Sequence, residues 1–261
     1  MPTALLAGVT ALFGLLIGSF LNVVVWRVPR GESLVSPPSA CPSCGTPIRP
    51  RDNVPVLGWL VLRGKCRDCG APISARYPLV EAGTAVLFAV MAVRFGADWE
   101  LPAYLWFAGI GIALALIDLD HKRLPDALTL PSYPVVAVLL GLAAVLGDHP
   151  GAPLRALIAA AAVGGFYFLV WFAYPAGMGF GDVKLAPIVG AYLGWVSYGA
   201  AVVGVFLGFL YGAVVGIAVM SLGRAGRKSK LPFGPFMLAG ALTGLLVGSQ
   251  LADAYRSLTL G

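Results

Sequence analysis

The sequence predicts an all-α polytopic membrane protein of about eight transmembrane helices with one small polar insert after the first. Three observations carry that reading. The 261 residues are 59% hydrophobic and only 11% charged, against about 25% charged in an ordinary water-soluble domain. Mean hydropathy is +0.86. The apolar residues are also gathered into runs long enough to cross a bilayer rather than into short alternating stretches.

The runs fall at about 3–26, 78–95, 101–118, 127–147, 153–174, 185–221 and 232–252. As one helix, 185–221 would extend roughly 55 Å, far beyond a hydrocarbon core of about 30 Å. A break within "LGWVSYG" (193–199) makes it two spans, the sixth of the eight being short. Charge gives the orientation. With the N-terminus outside, the inward segments are 27–77, 119–126, 175–184 and 222–231. All 18 Lys and Arg lie on them except Arg94, Arg155 and Arg256, so the bases collect on the cytoplasmic side. The net charge of +6 is then mostly a topology signal, with anionic lipid as its partner. The bases are scattered, which argues against nucleic-acid binding. No Lys or Arg precedes the first apolar run, and Arg27 and Arg30 follow it. That is the pattern of a first span inserted N-end out, not of a cleaved signal.

This gives a first transmembrane helix at 1–26, a cytoplasmic loop at 27–77 and a transmembrane core at 78–261. The loop holds all four cysteines, as "CPSCG" (41–45) and "CRDCG" (66–70). Two C-x2-C pairs, each followed by a turn-permitting glycine, suit a tetrahedral metal site. In a reducing compartment, structural zinc through Cys41, Cys44, Cys66 and Cys69 is favoured over disulfides or redox thiols. A loop with few large apolar side chains needs such a staple.

Only 12 residues are acidic, and a charge at membrane depth is costly enough that it usually has a function. Asp118, Asp120 and Asp126 lie in "DLDHKRLPD" where the third span ends and the fourth begins. Asp182 opens the sixth, behind "GMGFG", and Glu81 stands in "YPLVE" at the start of the second. Asp118 and Asp182 are expected at one membrane level. There a carboxylate pair sharing one proton can activate water while its protonated member polarises a carbonyl. In this reading Gly177, Gly179 and Gly181 permit unusual backbone conformations and the approach of a substrate strand. In the other, they loosen a loop and the carboxylates are structural.

At these residues the chain resembles the type IV prepilin peptidases, bacterial members of the GxGD aspartyl protease group. "GFGD" (179–182) followed by Val183 and Lys184, "DLDHKRLPD" (118–126), "GSFLNVVVWRVP" (18–29), the paired cysteines, "YPLVE" (77–81) and "LPFGPF" (231–236) all match, so the resemblance covers nearly the whole chain. It implies catalytic aspartates at Asp118 and Asp182, with Gly179, Gly181 and Lys184 in the active-site loop. Asp118 is chosen over Asp120 because it stands seven residues before Pro125, the spacing that the family shares. The resemblance further implies cleavage of the leaders of type IV prepilins and type II secretion pseudopilins after glycine, at the cytoplasmic face of the bacterial inner membrane. It also implies N-methylation of the new terminus with S-adenosylmethionine, associated with the cytoplasmic loop.

Glu81 is offered two roles: binding the new amino terminus, or pairing structurally with an Arg of the loop. For Asp120 and Asp126 helix-end polarity and N-capping are expected, and Asp52, Asp68 and Asp126 are candidates for attracting a basic leader. Gly204, Gly208, Gly212 and Gly216, and likewise Gly240, Gly244 and Gly248, form ridges suited to helix packing. "WFAYP" (171–175) reads as interfacial aromatics, and His121 and His149 are given no metal role. The alternatives are a peptidase without methylation, a proton-coupled transporter and a membrane scaffold with a zinc-bound docking loop. Substrate identity and oligomeric state are not written in the sequence.

Overall fold

A computed structural model describes residues 2–222 and 231–260. Nine α-helices are found among them: α1 (Thr3–Arg27), α2 (Leu57–Val61), α3 (Arg76–Phe95), α4 (Leu101–His121), α5 (Asp126–Leu146), α6 (Ala152–Ala173), α7 (Phe180–Val196), α8 (Tyr198–Ser221) and α9 (Gly234–Leu260). Eight are long, and seven of those are long and apolar enough to cross a membrane. The eighth is α7, with 17 residues. It is the short span that the sequence predicts, and the break falls at Ser197. There the chain turns extended and the serine hydroxyl caps α8 by accepting from the Ala200 N–H at 2.9 Å. The basic cluster Arg224, Arg227, Lys228 and Lys230 lies outside the described residues.

The chain divides into two compact units, one of residues 1–97 with 105–113, the other of 98–104 with 114–261. In the first, α1 packs on α3 through its glycines. A Cβ on Gly14 would lie 2.7 Å from the Ala85 Cα, and one on Gly18 would lie 2.7 Å from the Glu81 Cα. Van der Waals contact between backbones is the attraction available where lipid removes the hydrophobic drive for helices to associate.

The second unit uses the same device twice more. Gly190 and Gly194 admit α6, with ideal Cβ positions 2.5 Å from the Ala159 oxygen and 2.3 Å from the Ala159 Cβ. The predicted ridges on α8 and α9 face each other. A Cβ on Gly240 would lie 2.3 Å from the Gly208 nitrogen, and one on Gly244 would lie 2.8 Å from the Gly204 Cα. At the far end of this unit, His149 Nε2 lies 2.9 Å from Asp98 Oδ1, and Trp195 Nε1 donates to Glu100 Oε2 at 2.6 Å. His149 is thus a partner of the Asp98 carboxylate.

Gly240→Ala should separate α8 from α9 and lower stability by about 1–3 kcal/mol. Gly165→Ala, whose Cβ meets nothing within 4 Å, should leave the melting temperature in detergent unchanged. Equal melting temperatures for the two variants would contradict the packing.

Candidate active site

Asp118 stands in the last turn of α4 and Asp182 in the first turn of α7, each only 5% exposed. They belong to the same unit, and their carboxylates are close enough to interact electrostatically. Asp118 Oδ2 accepts a hydrogen bond from the backbone N–H of Gly234, the first residue of α9, at 3.0 Å. Asp182 donates its own N–H to the Gly179 oxygen at 3.1 Å. Its Oδ1 is buried and makes no hydrogen bond with the described residues, an unsatisfied acceptor where buried polar atoms are normally paired.

Leu124 is the packing piece between the two aspartates. A Cβ on Gly181 would come within 3.0 Å of the Leu124 Cβ. One on Gly234 would come within 3.2 Å of Leu124 Cδ2 and 2.8 Å of Asp118 Oδ2. Any side chain at either glycine would therefore push on this leucine, and at Gly234 on the carboxylate itself. Tyr167, on α6, is also buried here. Its ring stacks on Phe209 with centroids 5.5 Å apart, and the Asp182 charge reaches its hydroxyl. Leu124 and Gly234 lie in motifs visible in the sequence, whose spatial partnership is not. Tyr167 carries no sequence signal at all.

The glycines act differently from the sequence expectation. Gly177, Gly179 and Gly181 are not among the positive-φ glycines, and Gly179 is extended at φ −72°. What requires glycine at Gly181 is the closeness of Leu124, and at Gly177 that of the Tyr174 ring, 2.3 Å from an ideal Cβ. Nor is the motif all loop. Gly179 caps α7, while Gly181, Asp182 and Lys184 are helical. Lys184 Nζ reaches Asp126 Oδ1 and Oδ2 at 2.7 and 2.9 Å, and the Tyr133 hydroxyl donates to the Lys184 oxygen at 2.6 Å. Asp126 is thus a clasp between α5 and α7, where N-capping is the sequence expectation; α5 has no side-chain cap. Asp120 is exposed on the last turn of α4.

In the first unit, the two C-x2-C segments fold as matching hairpins. Cys41 and Cys66 N–H groups donate to the Thr46 and Ala71 oxygens, and the Gly45 and Gly70 N–H groups return to the Cys41 and Cys66 oxygens. Both glycines are left-handed, at φ +73° and +72°, the conformation their missing Cβ permits. The four sulfurs lie within 4.8 Å of one another. Cys41 and Cys69 Sγ are 3.8 Å apart. A tetrahedral ion with metal–sulfur bonds of about 2.3 Å requires sulfur separations of about 3.8 Å, so these residues fit a four-thiolate metal. The backbone N–H groups of Cys44 and Ser43 lower the Cys41 thiol to about 6. The Ala71 N–H pulls the Cys69 thiol down, but desolvation and the three neighbouring sulfurs outweigh it and push it up to about 12. Arg67 grips Asp52 with two hydrogen bonds, at 2.6 and 2.9 Å, and holds its carboxyl below the usual range. Arg49 pairs with Asp68 at 2.8 Å. With Asp126 held by Lys184, all three acids considered for a basic leader have partners in their own chain.

Glu81 is buried, and its Oε2 accepts from the backbone N–H of Val56 at 2.7 Å. The loop group it binds is therefore a main-chain amide.

Residues 12–95 match the bacterial peptidase A24 N-terminal domain, and residues 104–220 match the type IV leader peptidase family. Curated proteins similar to the chain are named prepilin leader peptidase/N-methyltransferase. That of Aeromonas hydrophila is 38% identical over 94% of this chain and 91% of its own. Those of Pseudomonas aeruginosa and Bacillus subtilis are 37% and 34% identical, over 94% and 96% of this chain and 92% and 98% of their own. No solved structure matches the chain significantly. With both halves of the chain matched and relatives similar along almost their whole length, the chain belongs to the type IV leader peptidase family.

Proposed function

We propose that this protein cleaves the leader peptides of type IV prepilins and type II secretion pseudopilins, and then methylates the new amino terminus with S-adenosylmethionine. The observation that carries the peptidase reading is that two buried carboxylates, from α4 and α7, lie in the second unit on either side of Leu124, within electrostatic reach of each other. Asp118 and Asp182 are the catalytic pair. One carboxylate takes a proton from water, and the hydroxide adds to the scissile carbonyl carbon. The other, protonated, gives its proton to the carbonyl oxygen. Collapse re-forms the carbonyl and breaks the C–N bond, and the leaving nitrogen takes up a proton. Asp182 Oδ1, with no hydrogen bond among the described residues, is the acceptor for the water. Gly234 N–H fixes the other carboxylate. Gly179, where a Cβ would lie 3.3 Å from Asp182 Oδ2, keeps the approach to that carboxylate free of a side chain, and Gly181 admits Leu124 beside it, while Lys184, clasped by Asp126, sets the position of the α7 terminus.

In the methyl transfer, the lone pair of the freed amine forms the N–CH3 bond and the S–CH3 bond breaks. The sulfonium becomes a neutral thioether and the surplus amine proton passes to water. The four-cysteine segment, within 27–77, serves this step and holds structural zinc through Cys41, Cys44, Cys66 and Cys69. Glu81 shapes that segment through Val56. The protein lies in the bacterial inner membrane with its N-terminus outside and the aspartates facing the cytoplasm. The collection of bases on 27–77 and 119–126 supports that orientation.

Asp118→Asn and Asp182→Asn should each lower leader cleavage of a purified prepilin by about 10²–10⁴-fold, read by intact mass. Cleavage at the wild-type rate in both variants would remove the aspartyl mechanism. Added S-adenosylmethionine should increase the mass of the cleaved product by one methylene, and an unmodified product would remove the methyl-transfer reading. Metal analysis should find one zinc per chain, and Cys66→Ser should lose it together with methylation; full zinc occupancy in that variant would contradict the four-cysteine site.

A further inference from the structure

The buried stripe of α6 reads Ala152, Ala156, Ala159, Val163 and Tyr167, spaced by three or four residues. The first four are small or β-branched, and the fifth is a tyrosine. Small residues let α7 come close. A Cβ on Gly190 would lie 2.5 Å from the Ala159 oxygen, and one on Gly164 would lie 2.8 Å from Pro187 Cγ. Moving forward along α6 is thus moving backward along α7, and the two helices are antiparallel. Three residues beyond Gly164, Tyr167 therefore stands level with the first turn of α7, the turn that carries Asp182.

The Tyr167 ring is clamped. Phe209 of α8 stacks on it with centroids 5.5 Å apart and planes at 29°. Phe233 lies 6.1 Å away and directly precedes Gly234, the N–H donor to Asp118. The residue is 1% exposed. Its hydroxyl, the only polar atom of the side chain, is fixed in place by the ring. Packing alone would be served by phenylalanine, which this helix uses at Phe166, Phe168 and Phe172.

The Asp182 charge reaches that hydroxyl. Asp182 Oδ1 is nevertheless buried and makes no hydrogen bond among the described residues. A donor and an acceptor within reach of each other but not in contact can be spanned by a molecule that both gives and takes hydrogen bonds. Water is such a molecule, and water is the nucleophile that a carboxylate pair activates.

We infer that the Tyr167 hydroxyl donates a hydrogen bond to the attacking water held at Asp182 Oδ1, which makes it a third catalytic residue of the cleavage; this rests on the two-aspartate reading given above. The water gives one proton to the carboxylate and forms the new bond to the carbonyl carbon through one lone pair. Tyr167 occupies the other lone pair and keeps its own proton throughout. With one hydrogen and one lone pair committed, the water is oriented before the substrate arrives, and the gain is one of geometry.

The test is steady-state cleavage of a purified prepilin by the full-length protein in detergent. Tyr167→Phe removes the hydroxyl and keeps the ring. It should lower kcat by about 10–10²-fold, with KM and melting temperature unchanged. Tyr104→Phe removes a hydroxyl from an equally buried side chain at the opposite end of α4 from Asp118, where it donates to Glu100 Oε2 at 3.4 Å, and should leave kcat unchanged. A wild-type kcat in Tyr167→Phe would overturn the assignment and leave the tyrosine a packing residue. A raised KM at unchanged kcat would overturn it in favour of substrate binding, and a melting temperature that falls with the rate would overturn it in favour of packing. These outcomes leave the aspartate pair intact so long as Asp182→Asn is inactive in the same assay. Asp182→Asn at the wild-type rate would overturn the two-aspartate reading itself, and this role of Tyr167 with it.

Discussion

The structure depends on backbones approaching where side chains are missing. In a bilayer, apolar helices gain nothing by leaving lipid for one another, so what joins them is close contact and a few polar bonds. The Gly234 N–H can reach Asp118 only because residue 234 has no Cβ, which would stand 2.8 Å from the acceptor oxygen. The same absence at Gly181 lets Leu124 close on the start of α7. Remove either freedom and the two carboxylates lose the wall that sets their relation. The ridges between α8 and α9 and between α6 and α7 extend the constraint through the rest of the unit.

That arrangement explains how so polar a pair is held in so apolar a setting. Asp118 is fixed by one main-chain donor, and Asp182 is fixed by its place at a helix N-terminus, the end that favours negative charge. Neither is matched by a cation at contact distance among the described residues; the nearby Lys184 is turned to Asp126 instead. A permanent salt bridge would occupy a carboxylate oxygen that the proposed reaction needs free. The Asp126–Lys184 clasp therefore joins α5 to α7 without spending the charges of the pair.

Local pattern was legible in the sequence, and pairing at a distance was not. The break at Ser197, the glycine ridges and the two cysteine hairpins each arise from spacing over a few residues, so the sequence expectations hold for them. The glycines of "GMGFGD" show where such reading ends. Their composition suggests special dihedrals, while the structure uses their small size against Leu124 and Tyr174, residues whose nearness only the fold creates. Asp52, Asp68 and Asp126 look available in a list of acids, yet each meets a base 15, 19 or 58 positions away. The left-handed φ of +60° at Val56 had no local signal either, because the glutamate that accepts from its N–H is buried 25 residues later.

The length of α7 has a consequence for how the unit meets the membrane. Its 17 residues extend about 26 Å at 1.5 Å per residue, a few ångströms less than a typical hydrocarbon core of about 30 Å. Eleven of them are buried and Phe180 alone is exposed, so α7 meets the neighbouring helices of its unit where an ordinary span would meet acyl chains. A short helix walled by protein imposes no thinning on the bilayer. The thickness of the host membrane therefore bears on the longer helices around α7 before it bears on α7 itself.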